Sequence, residues 1–171
     1  MSLIKKKICL AGDIGVGKTS LIRRYVENLF ADDYLTTIGV NISQKKIRCE
    51  NGQSVLLLIW DVEGFHPRDA VSVNYYTGAA GVIMVADLTR LASIEMIPSM
   101  LKAIKKTAPN AESILVGNKT DLVNTAHPGY QSFLGISRGL GLPYYTTSAK
   151  NGQNVEKVFQ HLTTAMRKET C

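Results

Sequence analysis

The sequence predicts an α/β fold in which helices cover both faces of a doubly wound, mostly parallel β-sheet. Segments with strand-like and helix-like periodicity alternate along almost the whole chain, which is the pattern of such sheets. A glycine-rich loop follows the first predicted strand, and an Asn-Gly pair separates the second from the third. The chain has 171 residues, 45% of them hydrophobic, without repeats or linkers. One domain over residues 1–171 is therefore expected.

The elements follow from the local periodicity, and one pair of strands is expected to be antiparallel. The Asn-Gly pair at 51–52 predicts a tight hairpin between its two strands. The sheet should thus be six-stranded and mixed, with five parallel strands and one antiparallel strand. The helix over 129–139 is the weakest expectation because it contains three glycines. We expect strands at 4–11, 38–48, 54–60, 81–86, 113–117 and 143–147, and helices at 20–30, 67–76, 92–107, 129–139 and 153–168.

Composition narrows the classes of function. The net charge of +6 comes from scattered basic clusters without interleaved aromatics, so no nucleic-acid partner is expected. An anionic membrane surface or an acidic partner remains open as an alternative. No apolar stretch is long enough for a membrane span or a secretory signal, so we expect a cytoplasmic protein, with a peripheral position at a membrane left open. Cys9, Cys49 and Cys171 suggest neither a disulfide framework nor a zinc site.

The segment 12–19 fits the spacing G-x-x-x-x-G-K-S/T of a phosphate-binding loop. It stands between a predicted strand and a predicted helix, so its backbone N–H groups and the helix dipole can face one anion. Lys18 should reach the terminal phosphates, and the Thr19 hydroxyl should ligate Mg²⁺. The residues expected around the phosphates are Gly12, Ile14, Gly15, Val16, Gly17, Lys18, Thr19 and Ser20.

Two residues after the third predicted strand suit the same ligand. Asp61 can hold Mg²⁺ through water, and the N–H of Gly64 can approach the terminal phosphate. The ligands of a hard cation such as Mg²⁺ are oxygens. These residues therefore extend the predicted phosphate site.

The loops after the last two predicted strands suit a guanine base. Asp121, in Asn118-Lys119-Thr120-Asp121, can accept hydrogen bonds from guanine N1–H and its exocyclic amine, donors that adenine lacks at that edge. The methylene stem of Lys119 can cover one face of the base, with Phe30 as the candidate for the other. In Ser148-Ala149-Lys150, the Ala149 N–H can meet guanine O6.

Taken in order, these motifs resemble the Ras superfamily of small GTPases, and most closely its Rab branch. The narrower resemblance rests on residues 34–40, Trp60-Asp61, Tyr75-Tyr76 and residues 117–122. It implies a P-loop NTPase G domain that binds GTP or GDP with Mg²⁺ and acts as a molecular switch. Thr37 would ligate Mg²⁺ and sense the third phosphate, and Tyr34 would close over the nucleotide. Lys18, Thr37 and Gly64 would be the catalytic residues, and residues 30–45 and 61–78 would meet effectors, exchange factors and activating proteins.

The chain departs from that pattern beside the third phosphate. Phe65 stands where the family has its water-positioning glutamine, and a phenyl ring can neither donate nor accept a hydrogen bond. Ile14, in place of a small residue, would crowd the γ-phosphate and any arginine finger. Glu63 would oppose the phosphates unless it turned outward or paired with a basic residue such as Arg68. His66 should face solvent rather than act as a base.

These departures leave several functions open. We expect a GTP-binding switch with weakened hydrolysis; the alternatives are a slow GTPase completed by a partner, or a nucleotide-locked scaffold. A P-loop kinase or ATPase is disfavoured by Asp121. The C-terminal residues contain no C-a-a-X motif, because Lys168 stands at the position of its cysteine. Membrane association is therefore expected only through a missing tail or a partner.

Overall fold

The fold was analysed in a computed structural model that describes residues 3–31, 36–48, 52–66 and 68–167. A six-stranded sheet with the strand order β2-β3-β1-β4-β5-β6 forms its centre. The strands are β1 (Leu3–Ala11), β2 (Val40–Arg48), β3 (Ser54–Val62), β4 (Gly81–Asp87), β5 (Glu112–Asn118) and β6 (Tyr144–Thr146). The helices are α1 (Lys18–Glu27), α2 (Ala70–Asn74), α3 (Leu91–Glu95), α4 (Ile97–Thr107), α5 (Pro128–Leu140) and α6 (Val155–Arg167), with a 3₁₀ turn at Thr120–Leu122.

The strand directions confirm the mixed sheet. β1 runs parallel to both β3 and β4, and β4, β5 and β6 are mutually parallel. β2 pairs antiparallel with β3, from Val40 opposite Val62 to Arg48 opposite Ser54. Part of the predicted hairpin turn, residues 49–51, lies outside the described residues. The carboxyl ends of the parallel strands meet at one edge of the sheet, which is where ligands bind in such folds.

Two separate cores confirm that helices cover both faces of the sheet. On one face α1 and α6 pack together, with the rings of Tyr25 and Phe159 stacked at a centroid distance of 3.9 Å. On the other face α3, α4 and α5 contribute Ile94, Met100 and Phe133, all fully buried. Burial of this apolar surface is the main source of stability. Among the described residues, no helix is long and apolar enough to cross a lipid bilayer.

Three of the predicted helices differ most from their expected bounds, each for a local reason. α1 ends at Glu27 because Asn28 adopts a left-handed conformation (φ 54°), so Phe30 lies beyond the helix. The region 92–107 divides into α3 and α4 because Pro98 has no N–H to offer the carbonyl four residues earlier. α2 begins only at Ala70, where the Asp69 carboxylate caps it by accepting from the Val71 N–H at 3.0 Å.

The glycine-rich helix over 129–139 is confirmed as α5. A Cβ at Gly129 would lie 1.9 Å from the carbonyl oxygen of Leu88, so close packing requires glycine there. Gly141 then ends the helix in a left-handed conformation (φ 65°). The close approach to Leu88 brings the start of α5 against the loop that follows β4.

Candidate nucleotide-binding site

A cleft of about 360 Å³ opens at the carboxyl edge of the sheet. It collects most of the expected site residues: Ile14, Gly15, Gly17, Lys18, Thr19, Ser20, Phe30, Thr37, Gly64, Asn118, Lys119, Asp121, Ala149 and Lys150. Four others lie beside it rather than on its wall. The Val16 side chain points into the core, and Gly12, Asp61 and Ser148 support residues that do line the cleft. Tyr34 lies outside the described residues.

The phosphate loop has the curled backbone that its glycines predict. Gly15 and Gly17 have φ angles of 77° and 103°, which disfavour any residue with a Cβ. The Lys18 ammonium folds over the loop and donates to the carbonyls of Gly12 at 2.7 Å and Asp13 at 2.8 Å. Burial lowers the pKa of Lys18 to about 8, although Asp61 and Asp13 act in the opposite direction. An anionic ligand in the cleft would therefore stabilise this charge.

Arg90 and Asp87 form contacts that hold the phosphate loop and Lys119 in place. The sequence did not predict these contacts. Arg90 donates to the Ile14 carbonyl at 2.7 Å and lies 3.3 Å from Oδ2 of Asp13. Asp87, at the end of β4, binds the Lys119 ammonium at 2.7 Å. Burial alone raises the pKa of Asp87, but hydrogen bonds from Lys119 and Thr89 outweigh it, and the net shift is downward. The only sequence signal was a lone aspartate after an apolar strand.

Three oxygen-bearing side chains meet beneath the phosphate loop. The Thr19 hydroxyl donates to Oδ2 of Asp61 at 2.5 Å and lies 2.7 Å from the Thr37 hydroxyl. Oδ1 of Asp61 is buried and has no hydrogen-bond partner, and burial raises the pKa of this carboxyl group. An unpartnered buried carboxylate oxygen suits a hydrated cation. One carboxylate and two hydroxyls, with substrate phosphates, are a donor set that fits Mg²⁺.

The segment after Asp61 is held by contacts of its own. The N–H of Phe65 donates to the Gly12 carbonyl at 2.8 Å. The Phe65 ring is fully buried and lies against Tyr76 at a centroid distance of 6.0 Å. The residue that stands in the position of the catalytic glutamine therefore points into the core, away from the cleft.

Two neighbours of Phe65 tighten the phosphate end of the cleft. A Cβ at Gly64 would lie 2.3 Å from Cγ1 of Ile14, so these residues are in close contact. Glu63 accepts the Gly39 N–H at 2.8 Å through its carboxylate, and its own N–H donates to the Gly39 carbonyl at 2.9 Å. The partner of this carboxylate is thus a backbone amide rather than Arg68. His66 is exposed, as expected for a residue facing solvent.

Asn118 joins the phosphate loop to the base end of the cleft. Its amide Nδ2 donates to the Val16 carbonyl at 3.0 Å. Its Oδ1 accepts from the Thr147 hydroxyl at 3.0 Å and from the Ala149 N–H at 3.3 Å. A Cβ at Gly17 would lie 2.3 Å from Asn118 Nδ2, so this packing also requires the glycine. One buried side chain therefore fixes the spacing between the two binding loops.

Asp121 lines the cleft and is held by a hydrogen bond to one of its carboxylate oxygens. Oδ1 accepts from the Ser148 hydroxyl at 2.6 Å, which orients the group. Lys119 adopts a left-handed conformation (φ 70°), with its stem at the cleft wall and its ammonium on Asp87. Phe30 lines the same cleft beyond the end of α1. The arrangement suits a planar base with donors at one edge.

This sheet, with a phosphate loop after β1 and base-binding loops after β5 and β6, defines a P-loop nucleotide-binding domain. The sequence model of the Ras family matches residues 7–168. The chain belongs to the Ras family of small GTPases. The family implies guanine-nucleotide binding and action as a GTP-binding switch, and Mg²⁺ is typical of it.

Known relatives of the chain carry Rab names. Ras-related protein RABD2b of Arabidopsis thaliana is 35% identical over 94% of this chain and 80% of its own length. Ras-related protein Rab-13 of Canis lupus familiaris is 36% identical over 91% of this chain and 77% of its own. Ras-related protein Rab-1A of Dictyostelium discoideum is 34% identical over 94% and 80%, respectively. The resemblance to the Rab branch is thereby supported over most of the chain.

Proposed function

We propose that this chain is a Rab-like switch that binds GTP or GDP with Mg²⁺ and hydrolyses GTP slowly. The observation that carries the proposal is one cleft, lined at one end by the residues predicted to bind the base and altered at the end predicted to bind the phosphates. Asp121 and Lys119 line the base end, where Ser148 and Asp87 hold them. Phe65 is absent from the phosphate end because its ring is in the core. Binding is then retained while hydrolysis is impaired.

Thr19, Thr37 and Asp61 would hold the Mg²⁺ ion. When bound, the ion supplies positive charge against the phosphate oxygens. The hydroxyl oxygens of Thr19 and Thr37 lie 2.7 Å apart, so residue 37 lies against the helix that follows the phosphate loop. Asp61 orients both hydroxyls through its Oδ2. This contact supports Thr37 as the residue that senses the third phosphate.

Slow hydrolysis follows from what the chain offers an attacking water. Lys18 and the Gly64 N–H remain available to stabilise charge on the phosphate. No side chain of residue 65 reaches that position, because the phenyl ring is fully buried. Ile14 packs against Gly64 and narrows the space beside the third phosphate. Charge stabilisation and water positioning are separate contributions to phosphoryl transfer, and the second is the one impaired.

The output of such a switch is a binding event at its two switch segments. Residues 30–45 and 61–78 border the cleft through Thr37, Glu63 and Gly64. Several apolar side chains there are exposed, including Ile38, Ile42 and Val71. Exposed apolar side chains of this kind suit a protein partner, and we assign effectors and regulators to this surface.

A second candidate function is a nucleotide-locked scaffold. The contact between Ile14 and Gly64, and the Phe65 N–H bond to Gly12, hold the second switch segment without any ligand contact. A segment fixed in this way responds weakly to loss of the third phosphate. The scaffold would bind its partner equally well with GDP and GTP.

The test begins with nucleotide extracted from the purified protein and identified by chromatography. We expect guanine nucleotide in nearly stoichiometric amount. Protein reloaded with GTP is then followed through a single turnover, with an Asp121→Asn variant as the control for non-specific nucleotide. GTP loss over hours supports the slow switch, and no loss over days supports the locked scaffold. Adenine nucleotide in the extract, or equal binding of ATP and GTP, would contradict the assignment.

A further inference from the structure

The side chain of Arg24 connects α1 to the loop that follows β6. Its Nε donates to the Ala149 carbonyl at 2.8 Å, and its Nη2 donates to the Lys150 carbonyl. Its Nη1 lies 3.4 Å from the backbone and side-chain oxygens of Asn28. Among the described residues, no carboxylate pairs with this partly buried guanidinium. Three of its four hydrogen bonds are therefore to backbone carbonyl oxygens.

Other hydrogen bonds also fix the loop that Arg24 holds, among them those that Ser148 donates to Asp121 and to the Gln153 carbonyl. The Ser148 hydroxyl accepts the Asn151 N–H at 3.2 Å, and the Ser148 carbonyl accepts the Gly152 N–H at 2.8 Å. From the interior, Asn118 Oδ1 accepts the Ala149 N–H at 3.3 Å, a long hydrogen bond. Arg24 adds a restraint on the carbonyl side of Ala149 and Lys150.

At this loop the two carbonyls are held by a fork of two donor nitrogens. Two successive carbonyls accept from two different nitrogens of one planar group, an arrangement that guanidinium offers and a lysine ammonium does not. The aliphatic part of Arg24 also packs close to the loop, since a Cβ at Gly152 would lie 3.7 Å from its Cδ. Arg24 thus restrains the two peptide groups that directly follow the Ala149 N–H.

We propose that Arg24 is a positioning residue for base specificity: it fixes the Ala149 N–H where guanine O6 is read. The inference rests on the proposed function. α1 begins at Lys18, so the helix whose start faces the phosphates also carries, near its end, the restraint on the base-reading loop. Arg24 therefore makes recognition of O6 depend on the position of α1.

The proposal is tested with base analogues that separate O6 from the other edge of guanine. In 6-thio-GDP, sulfur replaces O6 while N1–H and the 2-amine remain, and IDP lacks only the 2-amine, the group assigned to Asp121. For the unmodified protein we expect 6-thio-GDP to bind about tenfold more weakly than GDP. In Arg24→Ala this penalty should shrink to about threefold or less, while the penalty for IDP stays unchanged.

Two variants serve as comparisons. Arg24→Lys keeps the positive charge but offers a single donor atom, so it should resemble Arg24→Ala in the 6-thio-GDP penalty. Arg138→Ala removes an exposed arginine of α5 and should behave as the unmodified protein. Affinities are measured by competition against a fluorescent GDP, and circular dichroism confirms that each variant is folded.

The outcomes distinguish this inference from the proposed function. If Arg24→Ala and Arg24→Lys release all nucleotides faster but keep the full 6-thio-GDP penalty, Arg24 is merely structural and the inference is wrong. If Arg24→Ala does not fold, the result for Arg24→Lys decides in the same way. If the unmodified protein binds ADP as well as GDP, the proposed function itself fails.

Discussion

The two ends of the nucleotide cleft are built in different ways. At the base end, side chains that face the ligand are held by other side chains: Ser148 orients Asp121, Asp87 holds Lys119, and Asn118 spans both loops. At the phosphate end, the segment after Asp61 is held by burial of the Phe65 ring and by close contact with Ile14. The polar side chains that line the base end are thus held by polar partners, whereas the segment after Asp61 is held by apolar packing.

Under the proposed function, this difference separates nucleotide binding from hydrolysis. Base recognition needs preorganised polar groups, and those are present with their partners. Hydrolysis needs in addition a group that positions water, and at residue 65 core packing has taken its place. The predictions below act on one end at a time, beginning with the largest expected effect.

Asp121→Asn should disrupt recognition of the guanine base most directly. The amide offers a donor where guanine also has donors, so GDP affinity should fall by about two orders of magnitude while affinity for xanthosine diphosphate rises. Competition against a fluorescent nucleotide measures both. Asp121→Asn should leave the melting temperature of the nucleotide-free protein nearly unchanged, since Asp121 lies at the cleft wall. Unaltered GDP affinity would refute the base assignment.

The proposed metal site lies at the phosphate end, and Thr19→Ala tests it. Loss of one oxygen from the set of Thr19, Thr37 and Asp61 should weaken GTP binding about tenfold more than GDP binding. Chelation of Mg²⁺ should speed GTP release from the unmodified protein and have little further effect on Thr19→Ala. Thr89→Ala, at a hydroxyl bound to Asp87 instead, is the matched control. Release that is insensitive to chelation would remove the metal from this site.

The base end and the sheet could be predicted from sequence because their determinants are local. Alternating periodicity and the Asn-Gly pair predicted the six-stranded mixed sheet and its antiparallel pair, and a short motif places Asp121 on its loop. The order of the strands across the sheet was not predicted. Gly129 was misleading, because glycine disfavours a helix. Only the three-dimensional packing shows that the Leu88 carbonyl lies against it.

The supports of the site were not predictable, because they depend on contacts between distant segments. Arg24 reaches Ala149 across 125 positions of sequence, and Arg90 reaches Ile14 across 76. An arginine on an amphipathic helix predicts only a solvated charge. The absence of glutamine at residue 65 was evident from sequence, but the burial of the Phe65 ring was not.

The rate of GTP hydrolysis tests the roles of Phe65 and Ile14 at the phosphate end. We expect Phe65→Gln alone to raise the single-turnover rate of GTP cleavage only several-fold, because Ile14 still narrows the space beside Gly64. The double variant with Ile14→Gly should exceed the product of the single effects, since the two positions flank the same atoms. All four proteins are loaded with GTP to equal extent before the measurement. Cleavage by the unmodified chain at the rate of the double variant would show that neither residue is a handicap.

Phe65→Gln should also destabilise the protein, which tests whether the Phe65 ring anchors the second switch segment. Its ring is fully buried beside Tyr76, so Phe65→Gln should lower the free energy of unfolding by about 3 kcal/mol. Phe65→Leu, which keeps an apolar side chain, should lose about half as much and gain no hydrolysis. Urea denaturation of both variants measures the difference. Equal stability of Phe65→Gln and the unmodified protein would mean that the ring does not anchor the second switch.

The smallest expected effect concerns Glu63, which lines the cleft and also ties the two switch segments together. Its carboxylate accepts the Gly39 N–H at 2.8 Å, so it has a structural partner, but its charge still opposes a third phosphate. Glu63→Gln keeps an acceptor and removes the charge, whereas Glu63→Ala removes both. Both variants should raise the ratio of GTP to GDP affinity by about threefold at low salt, and less at high salt because the repulsion is screened.

Hydrogen exchange at the Gly39 amide separates the two roles of Glu63. Glu63→Ala should speed exchange there by about tenfold, because the amide loses its side-chain acceptor, while Glu63→Gln should leave it near that of the unmodified protein. If Glu63→Gln leaves the affinity ratio unchanged at low salt, the carboxylate does not oppose the third phosphate. If Glu63→Ala leaves the exchange unchanged, the backbone bond between Glu63 and Gly39 is sufficient to join the switch segments. The ratio of GTP to GDP affinity thus reports on the charge of Glu63, because that charge acts on the ligand. The exchange rate of the Gly39 amide reports on the hydrogen bond that Glu63 accepts from it.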